Sequence, residues 1–286
     1  MVWTIWVFIG WLCLSISAMA IGGDLQPQTR PLYEIGVGAA VFSLPDYPGS
    51  DQSRVRALGL PYGIYRGQYF RADEDGGIRG RFFDLSRWDI DVAAGAAFPA
   101  SSDENVARDG MPDLDWIGRV GPRLRYRVLE NGSRDRFFIN LPVQTVFSTD
   151  FGRLDGRGFI FLPSVRYDYR GLLSGRVRLL ATVAAVFGTR PLMDYFYTVP
   201  TKFSRPDRPA YSAREGFLEM RYRAGVIWRI SPKYILAASV GWNNLEWARN
   251  RRSPLLRQEI TTTAVIGLIW RVFASSEPAY NDVNSL

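Results

Sequence analysis

Residues 116–128 read WIGRVGPRLRYRV, and residues 137–147 read FFINLPVQTVF. Every second residue of the first stretch is apolar or small: Trp116, Gly118, Val120, Pro122, Leu124, Tyr126, Val128. Between them stand Ile117, Arg119, Gly121, Arg123, Arg125 and Arg127. In the second stretch Phe137, Ile139, Leu141, Val143, Thr145 and Phe147 alternate with Phe138, Asn140, Pro142, Gln144 and Val146. A period of two means extended strands, because successive side chains point to opposite faces. Asn131-Gly132-Ser133 between them is a hairpin-turn signal. Its match to a glycosylation pattern is the weaker account.

Each run is at least as long as the roughly 9–11 residues a tilted strand needs to cross a bilayer. Strands of soluble proteins are shorter, about 5–6 residues. The fold class expected is therefore all-β: a transmembrane antiparallel β-barrel with apolar residues toward lipid and an arginine-rich interior.

The rest of the chain repeats the unit. Strand-like runs lie at 32–43, 54–65, 67–73, 76–84, 87–98, 115–129, 134–147, 157–170, 174–188, 215–230, 233–247 and 257–273. Short turns near 84–87, 130–133, 171–174 and 231–233 alternate with longer loops at 44–53, 99–114, 148–156, 189–214 and 248–256. Short periplasmic turns and long outer loops are the outer-membrane pattern, and both ends on one side require an even strand count. About twelve strands satisfy this, or ten if the segments between 54 and 84 merge. Trp88, Trp116, Tyr126, Tyr169, Trp228, Tyr234, Trp242 and Trp270 fall near strand ends, where amphipathic rings form interfacial girdles.

Ahead of the barrel, residues 2–14 are almost entirely apolar and Ala18-Met19-Ala20 fits a cleavage site. Residues 1–20 are expected to be a signal peptide, 21–31 a periplasmic lead, 32–273 the barrel and 274–286 a polar tail. Cys13, the single cysteine, lies in the signal, so the mature chain has no thiol chemistry. The absence of histidine removes imidazole bases, Ser-His-Asp triads and most zinc sites. The net charge of +7 is spread along strands and carries no nucleic-acid recognition motif. Asp73-Glu74-Asp75-Gly76-Gly77 lacks the later ligands of a calcium loop and reads as a tight turn. No cofactor and no catalytic residue are expected, and the chain is read as a non-enzyme.

Two candidate sites remain. Arg119, Arg123, Arg125, Arg127, Arg166, Arg176, Arg178, Arg221, Arg223, Arg229 and Arg271 share the inward parity. They would either draw anions through a lumen or form a plug of ion pairs with Asp89, Asp91, Asp168, Glu219 and Glu259. The block Pro45-Asp46-Tyr47-Pro48-Gly49-Ser50-Asp51 is either a recognition loop or, preferably, a turn set by Pro48 and Gly49. Loop 189–214 holds Met193, Tyr195, Phe196, Tyr197 and Phe203, and would fold inward as a constriction or outward as an adhesive surface.

This block follows Ile35-Gly36-Val37-Gly38-Ala39 and precedes Leu60-Pro61-Tyr62 and Tyr65-Arg66-Gly67. The ordering resembles the MltA-interacting protein family, MipA/OmpV, of Gram-negative outer membranes, over about residues 32–273. The resemblance implies an outer-membrane barrel in contact with lipid and lipopolysaccharide. It also implies a scaffold role toward a murein hydrolase and a murein synthase. An anion-preferring channel and a surface adhesion or stress protein are the alternatives. Gly267-Leu268-Ile269-Trp270-Arg271-Val272 stands where such barrels end on an aromatic, with Phe273 one residue later.

Overall fold

The computed structural model describes residues 31–66, 70–72, 78–80, 87–131 and 134–279. The signal segment, the 73–77 turn and Gly132-Ser133 lie outside the described residues. Thirteen strand segments form one sheet. They are β1 (Tyr33–Pro45), β2 (Ser53–Arg66), β3 (Phe70–Ala72), β4 (Ile78–Gly80), β5 (Trp88–Ala97), β6 (Trp116–Asn131) and β7 (Asp135–Thr149). Then come β8 (Leu154–Phe161), β9 (Ser164–Leu172), β10 (Val177–Gly188), β11 (Gly216–Arg229), β12 (Tyr234–Asn244) and β13 (Ile260–Ala274). One helix, α1 (Arg190–Tyr197), interrupts the series.

Each strand pairs antiparallel with its neighbours, and β13 returns to β1 from Glu34↔Ala274 to Ser43↔Ala264. Among the described residues the sheet closes on itself through the three-residue strands β3 and β4, which meet β2 at Tyr65 and Arg66 and β5 at Asp91 and Val92; closure is what a bilayer requires of a sheet. β8 and β9 both pair with β7, through Phe161↔Val143 and Asn140↔Ser164. They are two halves of one stave. The single run expected at 157–170 is broken at Leu162-Pro163, because Pro163 has no N–H to give the ladder. Among the described residues, thirteen segments thus make twelve staves.

The faces are inverted relative to a water-soluble protein. Val37, Ile90, Val120, Val143, Val240 and Ile266 are exposed on the outside. Glu34, Asp91, Arg125, Asn140, Gln144, Asp168 and Thr261 are buried within. Lipid is the solvent that makes this pattern stable. Rings gather near the strand ends: Trp88 packs tilted against Tyr126 at 4.5 Å and Tyr33 stacks on Phe273 at 5.7 Å toward the short turns. Tyr222 stacks on Trp242 at 5.6 Å toward the long loops.

Candidate functional site: the lumen and its cap

The inward arginines fall into layers along the lumen. Toward the short turns, Glu34 on β1 holds Arg66 of β2 and Arg271 of β13, each at 2.8 Å. Asp168 on β9 accepts from Arg178 Nε at 2.7 Å and pairs with Arg170 at 3.1 Å. Asp91 on β5 accepts from Arg123 Nε at 2.8 Å and lies 3.3 Å from Arg125, while Asp89 meets Arg127 at 3.4 Å. Arg125 also donates to Asn140 Oδ1 at 3.2 Å. Shared carboxylates let buried guanidinium groups keep their charge at tolerable desolvation cost.

Further along, Glu219 pairs with Arg221 on the same strand. Arg119 donates to Gln144 Oε1 at 3.0 Å, and Arg223 to Asn243 Oδ1 at 2.9 Å. Arg166 is buried beside them. Arg176 lies elsewhere, exposed in the turn before β10, and Arg229 is half-buried at the end of β11, its amide donating to Arg176 O at 2.9 Å. Glu34, Arg66 and Arg170 complete the layers but were outside the expected set. Strand parity places Arg66 in line with Arg54 and Arg56, so the signal was present in the alternation of β2.

Loop 148–156 is exposed, Phe151 and Leu154 included, but the other long loops, 44–53, 99–114, 189–214 and 248–256, do not spread outward. They pack into an apolar cap that includes Tyr47, Leu114, Leu192, Met193, Phe196, Tyr197, Leu245 and Leu255, all buried. Loop 189–214 folds inward: α1 starts at a Pro-containing first turn and buries Leu192, Met193, Phe196 and Tyr197. Arg208 ties that loop to its neighbour, donating to Ala107 O at 3.0 Å, Asp109 O at 2.9 Å and Phe203 O at 2.8 Å.

The Pro45–Asp51 block is a turn wedged into this cap. Asp46 accepts from Arg54 Nε at 2.9 Å and Asn105 Nδ2 at 2.9 Å, with Arg56 at 3.6 Å. The Tyr47 hydroxyl donates to Leu255 O at 2.7 Å, and Pro48 O accepts from the Tyr197 hydroxyl at 2.9 Å. Gly49 has φ +82°, and its carbonyl accepts from the amides of Arg257 at 2.8 Å and Gln258 at 3.0 Å. A Cβ there would stand 2.8 Å from Leu256 Cγ, so only glycine meets both the left-handed conformation and the space. Ser50 Oγ accepts from Asn105 Nδ2 at 3.1 Å, and Asp51 lies at the surface, 3.7 Å from Arg257.

Burial pushes the Tyr47 and Tyr197 phenols well up, with the Arg108 guanidinium over the Tyr47 ring opposing the shift for Tyr47. Arg108 is itself pulled down by burial and partly held up by the facing Tyr47 and Tyr195 phenols. It donates to Pro112 O at 3.0 Å.

Between cap and ion-pair layers lies a cavity of about 370 Å³. Its wall joins β-strand residues such as Arg119, Arg166, Arg221 and Arg223 to cap residues such as Pro48, Leu192 and Phe196.

A closed sheet with a lipid-facing apolar band and a capped, ion-paired lumen defines an outer-membrane-type β-barrel. Within that class, the chain belongs to the MltA-interacting protein MipA family, whose model matches residues 37–272. No curated protein matches it. Among solved structures, the NanC porin aligns at 7% identity and TM-score 0.38, covering 83% of this chain and 100% of that one. The outer membrane protease OmpT from Escherichia coli aligns at 10% identity and TM-score 0.30, covering 89% and 100%. Salmonella typhi OmpF in complex with daunomycin aligns at 9% identity and TM-score 0.32, covering 87% and 100%. Likenesses this low say nothing about what this chain does.

Proposed function

We propose that the protein is a non-enzymatic scaffold of the outer membrane that presents its short periplasmic turns to peptidoglycan-remodelling enzymes, among them a lytic transglycosylase of the MltA kind. The observation that carries this reading is the capped, ion-paired lumen. A cap of packed loops and three clusters of shared carboxylates leave little for a conduction path to use, so interaction surfaces remain as the functional part. Family membership supports the same direction.

The turn after β9 supports it locally. Leu173 and Ser174 have φ of +49° and +56°. Non-glycine residues in this region carry strain of order 1 kcal/mol or more each, and an Asn-Gly pair would relieve it. Instead the turn holds Leu173 out, 63% exposed, beside exposed Leu172. On a scaffold such a side chain is a contact.

The test is photocrosslinking from residues 171–176 and 230–233 of the membrane-embedded barrel with MltA-type transglycosylase added. The reading expects a crosslinked complex that Leu173→Gly weakens by about tenfold, the scale of one buried leucine contact, while the barrel stays folded. No complex from any of these turns, or one indifferent to Leu173→Gly, overturns it.

A further inference from the structure

The cavity between cap and ion-pair layers is chemically lopsided. Five arginines line it (Arg56, Arg119, Arg166, Arg221 and Arg223) against two carboxylates, Asp46 and Glu219. Asp46 is engaged by Arg54 and Arg56, and Glu219 by Arg221. Arg119 and Arg223 hydrogen-bond only to neutral oxygens, and among the described residues neither has a carboxylate within 4.0 Å. The ion-pair layers nearer the short turns show what this chain does when it only needs to neutralise an inward arginine: it supplies a shared Asp or Glu. Here it does not.

The two arginines are also held in place by missing side chains. A Cβ on Gly95 would stand 2.5 Å from Arg119 Nε, and one on Gly241 would stand 2.5 Å from Arg223 Nη1. Each guanidinium therefore lies over a glycine on the neighbouring strand, which fixes where its donors are presented. Apolar side chains line it too: Phe42, Ile117, Leu180, Leu192, Phe196 and Val265. Guanidinium groups together with hydrocarbon, in a space of about 370 Å³, match the usual size and make-up of small-molecule sites.

We propose that this cavity is a binding site for a small amphipathic anion, an acid head group on an apolar body. The head accepts charge-assisted hydrogen bonds from Arg119 and Arg223, and the body lies against Phe42 and Phe196. Because the cap sits over the cavity, entry is slow relative to an open groove. The site uses the lumen and not the turns, so loss of binding here and loss of the crosslinked complex are separable outcomes.

The test is calorimetric titration of the full-length barrel in nanodiscs of uncharged lipid, with octanoate as the probe and octanol as its uncharged counterpart, empty nanodiscs being subtracted. Saturable binding of octanoate and not of octanol is expected. Exchanging both arginines (Arg119→Gln with Arg223→Gln) is expected to weaken it by at least about tenfold. Thr182→Phe, which puts a ring into the cavity between the strands of Arg166 and Arg223 and removes neither arginine, is expected to abolish it and carries the test if the double variant does not fold. No saturable binding by the unaltered barrel, equal binding of octanol, or binding that survives Thr182→Phe in a folded barrel overturns the proposal.

Discussion

Tyr47 shows how one residue secures the cap. Its ring is buried against loops far away in sequence, its hydroxyl reaches Leu255 O at 2.7 Å, and Arg108 lies 5.7 Å above the ring. Burial favours the neutral phenol, so the folded protein holds this proton more tightly than the unfolded chain does. Below the unfolded tyrosine value, near 10, both states keep the proton and the contribution is fully present. Above it the unfolded chain ionises first, and stability falls with rising pH until the folded phenol also ionises. Cleavage of the long loops by an alkali-tolerant protease should therefore rise steeply above roughly pH 10. Tyr47→Phe should flatten that rise while weakening the cap by about 1 kcal/mol at neutral pH, through the lost hydrogen bond. An unchanged pH profile would place the alkaline sensitivity elsewhere. The turn character of this block was legible, because proline and glycine stand together at Pro48-Gly49. Its role was not, because its partners Asn105, Tyr197 and Leu255 lie 55 to 208 positions away.

At the scale of elements, the strands were legible and the cap was not. A strand repeats every two residues, so even a run of ten shows its period; β5, with Trp88 at its start and Ile90 and Val92 on its outer face, is an example. Helix α1 has only eight residues, about two turns, too few to display a period inside a loop rich in aromatics. The break at Leu162-Pro163 was visible as a proline but hidden by the clean alternation on both sides. α1 is nonetheless the centre of the cap, with Met193 and Tyr197 wholly buried. Met193→Ala should destabilise the cap by about 2–5 kcal/mol through the lost contacts and the cavity left behind. The expected signature is selective: loop 189–214 becomes protease-sensitive while the barrel keeps its heat-resistant mobility on gels. Loss of both together would mean that cap and barrel fold as one unit.

For the whole molecule, the alternation that builds the barrel also decides what fills it. Parity put the arginines inside, and the same parity put Glu34, Asp91 and Asp168 among them. Whether the lumen conducts depended on which carboxylates meet which guanidinium groups and on how the loops fold, and neither is a local property of sequence. The molecule is a membrane barrel covered by an apolar cap and cross-braced by ion pairs. Single-channel recording of the refolded barrel in a planar bilayer tests this most directly. The account predicts insertion of a folded barrel with no stable conductance steps. Steady anion-selective steps whose selectivity reverses in Arg123→Glu would contradict it.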